Sequence, residues 1–191
     1  MKNQHIMKTH LPKPVDDGET SHLQRIIFPE ASLLSTNDNL VNTTDFKKGI
    51  TVVYCYPLTG RPDQEPPKDW EQIPGAKGCT TQTLSFREKY DKFKKRNVRL
   101  FGLSTQTTEY QKEMVKRLDV PFPILSDSDL KLTKLLNLPT FEVEGKILLK
   151  RLTMIVEDGV IVKVFYPVFP PSENAEEVLA WIELNNQEEV H

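Results

Sequence analysis

Two cysteines are the residues of this chain best suited to chemistry. The stretch "IPGAKGCTTQTLSF", Ile73 to Phe86, sets Cys79 after a glycine-rich turn and at the head of a helix-periodic run. A thiol is a weak nucleophile until it ionises, and an ordinary pKa of about 8.5 leaves only a few per cent as thiolate at neutral pH. The unpaired N–H groups and the dipole at a helix N-terminus favour the anion, and a neighbouring Arg favours it further. The context therefore predicts an activated thiolate at Cys79. The plainer alternative is a small apolar residue at a helix start. Cys55 lies inside the apolar, β-branched run "ITVVYCYP" and reads as a buried strand residue. The two thiols form no Cys-x-x-Cys pair, which weighs against a thiol–disulfide exchanger.

The rest of the composition removes other classes of chemistry. The 191 residues suit one domain with a full core, and 38% hydrophobic with 27% charged residues is ordinary for a globular protein. A formal net charge of −2 gives no electrostatic reason to expect nucleic acid or an anionic membrane as partner. No apolar run is long enough to span a bilayer, and "MKNQHIMKTHLPKPVDDGETSH" has no signal-type apolar core. Two cysteines make no disulfide scaffold, so a cytoplasmic location is expected. There is no dinucleotide fingerprint, phosphate loop or His-Glu-x-x-His. His5, His10, His22 and His191 lie outside the patterned region, so no metal site is expected.

The elements that must position Cys79 follow from periodicity. Residues 1–30 read as a polar, partly ordered arm, residues 31–186 as the domain, and residues 187–191 as a tail. "SLLSTNDNLVNTTDF" predicts two short strands, and "ITVVYCYP" a central strand buried on both faces. Residues 58–78 form a Pro- and Gly-rich loop, and loops of that length are usually functional. A helix runs from Cys79 to about Lys95, with Lys92, Lys94, Lys95 and Arg96 at its C-terminus. "VRLFGLS" and "FPIL" predict strands, and "TTEYQKEMVKRLD" and "SDSDLKLTKLLN" helices, the latter with a Ser or Asp cap. "RLTMIVEDGVIVKVFYP" predicts a hairpin around Asp158-Gly159, and Ser172 is expected to cap a last helix. This order specifies an α/β, thioredoxin-like fold: a mixed sheet flanked by helices, with an N-terminal β extension. Ligands of such sheets bind at the carboxyl ends of the parallel strands, where Pro57 and the start of the Cys79 helix fall.

From about residue 11 to residue 184 the chain resembles the peroxiredoxins, of the alkyl hydroperoxide reductase and thiol-specific antioxidant type. "GCTTQ" resembles their peroxidatic-cysteine motif, and "YCYP" the strand end that carries the active-site proline, here Pro57. "FGLSTQ" and "FPILSD" resemble the next core strands. "KRLTMIVEDGVIVKVFYPV" is similar to the strand bearing the active-site arginine, here Arg151. "LPKPVDDG", "YPLTGRP", "IPGAKGC" and "FYPVFPP" place the likeness in a bacterial branch related to the Q-type enzymes.

The resemblance implies a thiol-dependent peroxidase that reduces hydrogen peroxide and organic hydroperoxides through a sulfenic acid on Cys79. Arg151 and backbone N–H groups around Gly78 and Cys79 would bind the leaving oxygen, and Pro57 would wall the pocket. The chain departs from the pattern at two places. Leu84 stands where Q-type relatives often carry a resolving cysteine. The long loop separates Pro57 from Cys79, and Ala76 stands where the family's hydroxyl is usual. Thr59 in "YPLTG" is the candidate to supply that hydroxyl, with Thr80 as fallback. No cofactor is implied. The implied partners are the peroxide and a thiol reductant (glutathione, glutaredoxin or thioredoxin), which makes a one-cysteine cycle; Cys55 is the weaker candidate to resolve the sulfenic acid. A homodimer is an assembly known among relatives. Gln82 reads as a helix-start cap or, second, a pocket contact; Trp70 as a pin for the loop or, second, a lid; and Gln106, at a strand end near the site, as loop structure. The alternatives are a non-catalytic thioredoxin-like binding module and a peroxide sensor that relays oxidation to a partner.

Overall fold

In a computed structural model, which describes residues 11–186, the domain is built around a five-stranded mixed sheet. The strands that precede Cys79 are β1 (Ser32–Leu34), β2 (Leu40–Asn42) and β3 (Ile50–Cys55). Helix α1 (Cys79–Lys95) follows the long loop, then β4 (Arg99–Ser104), α2 (Thr108–Leu118), β5 (Ile124–Ser126) and α3 (Lys131–Leu136). The chain continues through β6 (Thr140–Val143), β7 (Lys146–Leu149), β8 (Leu152–Glu157), β9 (Val160–Phe165) and α4 (Asn174–Asn186).

The sheet order is β5-β4-β3-β8-β9. Strands β3, β4 and β5 are parallel, whereas β8 pairs antiparallel with β3 and β9 antiparallel with β8. Alternation along each strand divides the core in two. Val53, Cys55, Phe101, Leu103, Met154 and Val156 enter one cluster with Leu132 and Leu136 of α3 and with Leu23 and Phe28 of the N-terminal approach. Val52, Tyr54, Leu100 and Ile155 enter the other with Cys79, Phe86, Met114 and the α4 residues Val178, Leu179 and Ile182. Helix α1 is fixed on β3 by the stacked rings of Tyr54 and Phe86, 4.4 Å apart and 10° from parallel.

Two local features differ from the sequence reading. A second hairpin, β6–β7, was not anticipated; it turns at Glu144 and Gly145, both at positive φ. Ser172 caps nothing: α4 is entered through a 3-10 turn, Pro171–Glu173, that starts with proline and has no side-chain cap. The Asp cap expected for α3 is supplied by Asp127. Its carboxylate accepts from the N–H groups of Leu132 (2.9 Å) and Thr133 (2.7 Å) and from the Thr133 hydroxyl (2.5 Å).

The N-terminal approach adds backbone pairing at the outer edge of β9. Arg25 N–H donates to Ile161 O (2.7 Å), Ile161 N–H to Ile26 O (2.9 Å) and Phe28 N–H to Gly159 O (2.8 Å). Among the described residues no helix is long and apolar enough to cross a membrane.

Candidate active site

Cys79 is the first residue of α1 and is buried, with 3% of its surface exposed. Gly78 precedes it at φ 119°, a left-handed value that disfavours L side chains. A Cβ at Gly78 would also lie 2.6 Å from Pro171 Cγ, so glycine is required both by conformation and by space. No side chain caps α1 at Gly78, and the first main-chain bond of the helix runs from Gln82 N–H to Gly78 O (2.9 Å). The N–H groups of Cys79, Thr80 and Thr81 therefore open the helix ahead of its hydrogen-bond ladder.

Arg151 lies between β7 and β8 and is 4% exposed. Its Nη2 stands 3.2 Å from the Cys79 sulfur and also donates to Ala76 O (3.0 Å) and Gly75 O (3.2 Å). Its Nη1 donates to Gln82 Oε1 at 2.6 Å. Of the two roles read for Gln82, a helix-start cap and a pocket contact, the second is the one formed: it turns inward, fully buried, and holds the guanidinium. Gln82 Nε2 donates to Asn174 Oδ1 (3.0 Å), which also accepts from the Thr153 hydroxyl (2.7 Å). A buried polar line thus runs from β8 through the start of α4 and α1 to the arginine and the sulfur. Sequence reasoning missed Asn174 because it reads as one more helix-start Asn; only the fold brings it beside Gln82. Arg151 Nε is buried and has no hydrogen-bond partner, so one N–H of the fork stays uncommitted.

The other candidates fall elsewhere. Thr59 is fully buried, but its N–H (3.0 Å) and its hydroxyl (3.4 Å) are directed to Gln106 Oε1. Of the two roles expected for its hydroxyl, a bond to the sulfur or to the peroxide, the first is not formed: the partners of Cys79 Sγ are Arg151 Nη2 and Ala76 O, the latter at 3.6 Å. Gln106 organises the loop that carries Thr59, with Ser104 and Gln111 also bonded to it. Pro57 is buried where the chain leaves β3. Trp70 packs on Ala76 and Leu148, with Leu58, Ile73 and Phe141 around it, and so fastens the long loop to the β6–β7 hairpin. Cys55 is fully buried on the sheet face opposite Cys79. Burial, with Asp127 nearby, pushes its thiol far above the ordinary cysteine range. The strand separates the two sulfurs, which removes Cys55 from the site.

The arrangement can hold a small oxygen substrate between a nucleophilic sulfur and fixed N–H donors. The Redoxin family model matches residues 25–179. Chloroplastic peroxiredoxin Q of Sedum lineare is 29% identical over 79% of this chain and 73% of its own length. Peroxiredoxin Q of rice (Oryza sativa subsp. japonica) is 28% identical over 79% of this chain, a match that spans 62% of the rice protein. Among solved structures, peroxidoxin BcpB of Mycobacterium tuberculosis superposes with a TM-score of 0.69 at 19% identity, covering 84% of this chain and 96% of that one.

Proposed function

The chain belongs to the Redoxin family, as a peroxiredoxin of the Q-type branch, and from that premise we propose that it is a thiol-dependent peroxidase whose working sulfur is Cys79. The observation that carries the assignment is the 3.2 Å approach of Arg151 Nη2 to that sulfur, with the rest of the guanidinium anchored by Gln82 and two backbone carbonyls.

The Cys79 thiolate attacks one peroxide oxygen in line with the O–O bond. The S–O bond forms as the O–O bond breaks, and the departing oxygen leaves as water or an alcohol after taking up a proton. Negative charge moves from sulfur to the departing oxygen along this path. Arg151 carries a permanent charge on a planar fork of donors, and the N–H groups at the head of α1 are fixed beside it. Such donors cost no reorganisation during the reaction, which is why they lower the barrier. Pro57 is assigned the apolar wall that limits water.

A second thiol then attacks the Cys79 sulfenic acid and releases water, leaving a mixed disulfide. A further thiol displaces it and regenerates Cys79. Leu84 offers no local resolving thiol, and Cys55 lies across the sheet, so both thiols come from a reductant such as glutathione, glutaredoxin or thioredoxin. Two free cysteines suit a reducing compartment such as the cytoplasm.

The test is peroxide consumption with the glutathione and thioredoxin systems in parallel, for the native chain and for Cys79→Ser. Loss of turnover in the variant is expected. Undiminished turnover in Cys79→Ser would overturn the assignment in favour of a binding module.

A further inference from the structure

The bonds that aim Arg151 do not end at Gln82. An amide side chain can turn its oxygen or its nitrogen to a neighbour, and only the oxygen accepts from a guanidinium. Gln82 Oε1 faces Arg151 Nη1 at 2.6 Å, so Gln82 Nε2 needs an acceptor on its other side. Asn174 Oδ1 is that acceptor, at 3.0 Å. The same oxygen accepts from the Thr153 hydroxyl at 2.7 Å. Gln82, Asn174 and Thr153 are all fully buried, and bulk solvent reaches none of them.

Asn174 does not do the ordinary work of an asparagine at a helix start. It opens α4, where such a side chain usually accepts from N–H groups of its own helix. Here both bonds to its oxygen come from other elements, α1 and β8. The turn before α4 sets that reach. Pro171 packs so closely on Gly78 that a Cβ there would lie 2.6 Å from Pro171 Cγ. Asn174 comes one 3-10 turn after Pro171, and Gln82 one α-helical turn after Gly78. The two elements therefore meet in register, proline on glycine and then amide on amide.

Thr153 stands two residues after Arg151 in the chain. The bonds Arg151–Gln82, Gln82–Asn174 and Asn174–Thr153 thus close into a ring through a short piece of backbone. Turning either amide over would set donor against donor in the interior, which is costly where no water can intervene. We propose that Asn174 and Thr153 are positioning residues: they lock the Gln82 amide, and through it the Arg151 guanidinium, with Nη2 on the Cys79 sulfur. The rate part of this inference rests on Cys79 being the peroxidatic residue; the lock itself does not.

Two readouts on the full chain test it. The first is kcat/KM for hydrogen peroxide in the native protein, Gln82→Leu, Asn174→Leu and the double variant. Asn174→Leu should lose about tenfold, because a small misplacement of a fixed group is costly in rate. The double variant should be no slower than Gln82→Leu alone, since Asn174 acts through Gln82. Losses that multiply would overturn the proposal. Thr153→Val should also lose rate, and Thr153→Ser, which restores the hydroxyl, should recover it; equal rates in these two variants would overturn it as well. The second readout needs no turnover: nitrogen NMR of the Arg151 guanidinium, assigned by its loss in Arg151→Lys. A locked guanidinium gives separate Nη1 and Nη2 signals, and a turning one gives an averaged signal. Separate signals are expected in the native chain and averaged ones in Asn174→Leu and Thr153→Val. An averaged native signal, or separate signals in both variants, would overturn the lock. If the native chain reduces no peroxide while the NMR pattern holds, the lock stands and the peroxidase assignment falls. Should Asn174→Leu not fold, the Thr153 variants decide alone.

Discussion

Gln82 Oε1 and Arg151 Nη1 meet at 2.6 Å in the interior, and that contact leaves the opposite nitrogen of the guanidinium facing the Cys79 sulfur. The arginine is thus aimed as well as charged. A lysine would keep the charge but lose the planar fork that spans Gln82, two carbonyls and the sulfur at once. Arg151→Lys is expected to lower kcat/KM for hydrogen peroxide by about 10²-fold, near the lower bound for losing one fixed donor at a developing oxyanion. Steady-state kinetics on a variant with native circular dichroism checks this.

Gln82 acts through Arg151, so its replacement should separate aim from charge. Gln82→Leu strands the Arg151 Nη1 donor in the core and removes the Nε2 partner of Asn174. Stability should fall by about 1–3 kcal/mol in urea unfolding. Peroxide turnover should fall too, whereas Gln82→Glu, which keeps an acceptor for the guanidinium, should recover most of it. Equal losses in both variants would make Gln82 a merely structural residue.

Cys55→Val should leave peroxide turnover intact, because the Cys55 side chain lies on the far face of the sheet. A swap of similar volume costs under about 1.5 kcal/mol. After one equivalent of peroxide, non-reducing mass spectrometry of the native chain should show an oxygen adduct on Cys79 and no intramolecular loss of two hydrogens. A Cys55–Cys79 disulfide would contradict the separation of the two faces.

Gly78→Ala is expected to damage the site from behind. At φ 119° a side chain is strained, and its Cβ would press 2.6 Å from Pro171 Cγ. Strain of this kind costs about 1–3 kcal/mol. Each kcal/mol should lower the melting temperature by roughly 2–4 °C in a chain of this size. The head of α1 and the turn before α4 would have to part, so activity should drop along with stability. Scanning calorimetry and a peroxide assay on the same sample read both.

The Asp17–Lys150 pair, 2.8 Å apart, has a pH signature. The Lys150 ammonium, hydrogen-bonded to Asp17, lowers that carboxyl from 3.8 to about 2, against an opposing effect of burial. A depressed carboxylate pKa contributes stability that is complete above the unfolded value and is lost as pH falls through the folded one. The stability difference between the native chain and Lys150→Met should therefore be flat from pH 7 to about pH 5 and shrink between about pH 4 and pH 2. Urea unfolding across that range checks the sign. A difference that grows on acidification would exclude the Asp17–Lys150 pair as the source of that stability.

What could be read from the residues alone was set by local pattern. The limits of α1, the buried strands β3 and β4, and the turn at Asp158-Gly159 follow from periodicity and turn chemistry, and they place Cys79 at a helix head. Arg151 entered only through resemblance, because a lone arginine before a strand reads as solvated. Gln82 and Asn174 were illegible as partners: their bond joins residues far apart in sequence, and each has an ordinary local role at a helix start. The β6–β7 turn was missed because Glu144 adopts positive φ, a conformation usually left to Gly, Asn or Asp. The bond from Thr59 to Gln106 was illegible because its loop folds back, and no local signal announces that contact.

The pairing of Arg25–Phe28 with the start of β9 bears on assembly. An open strand edge is a template on which a second chain can continue the sheet, and proteins that stay soluble cover or interrupt such edges. Here Gly159 and Ile161 already spend main-chain groups on the chain's own N-terminal approach. Two copies could not join β9 to β9 along its full length without first peeling that segment away.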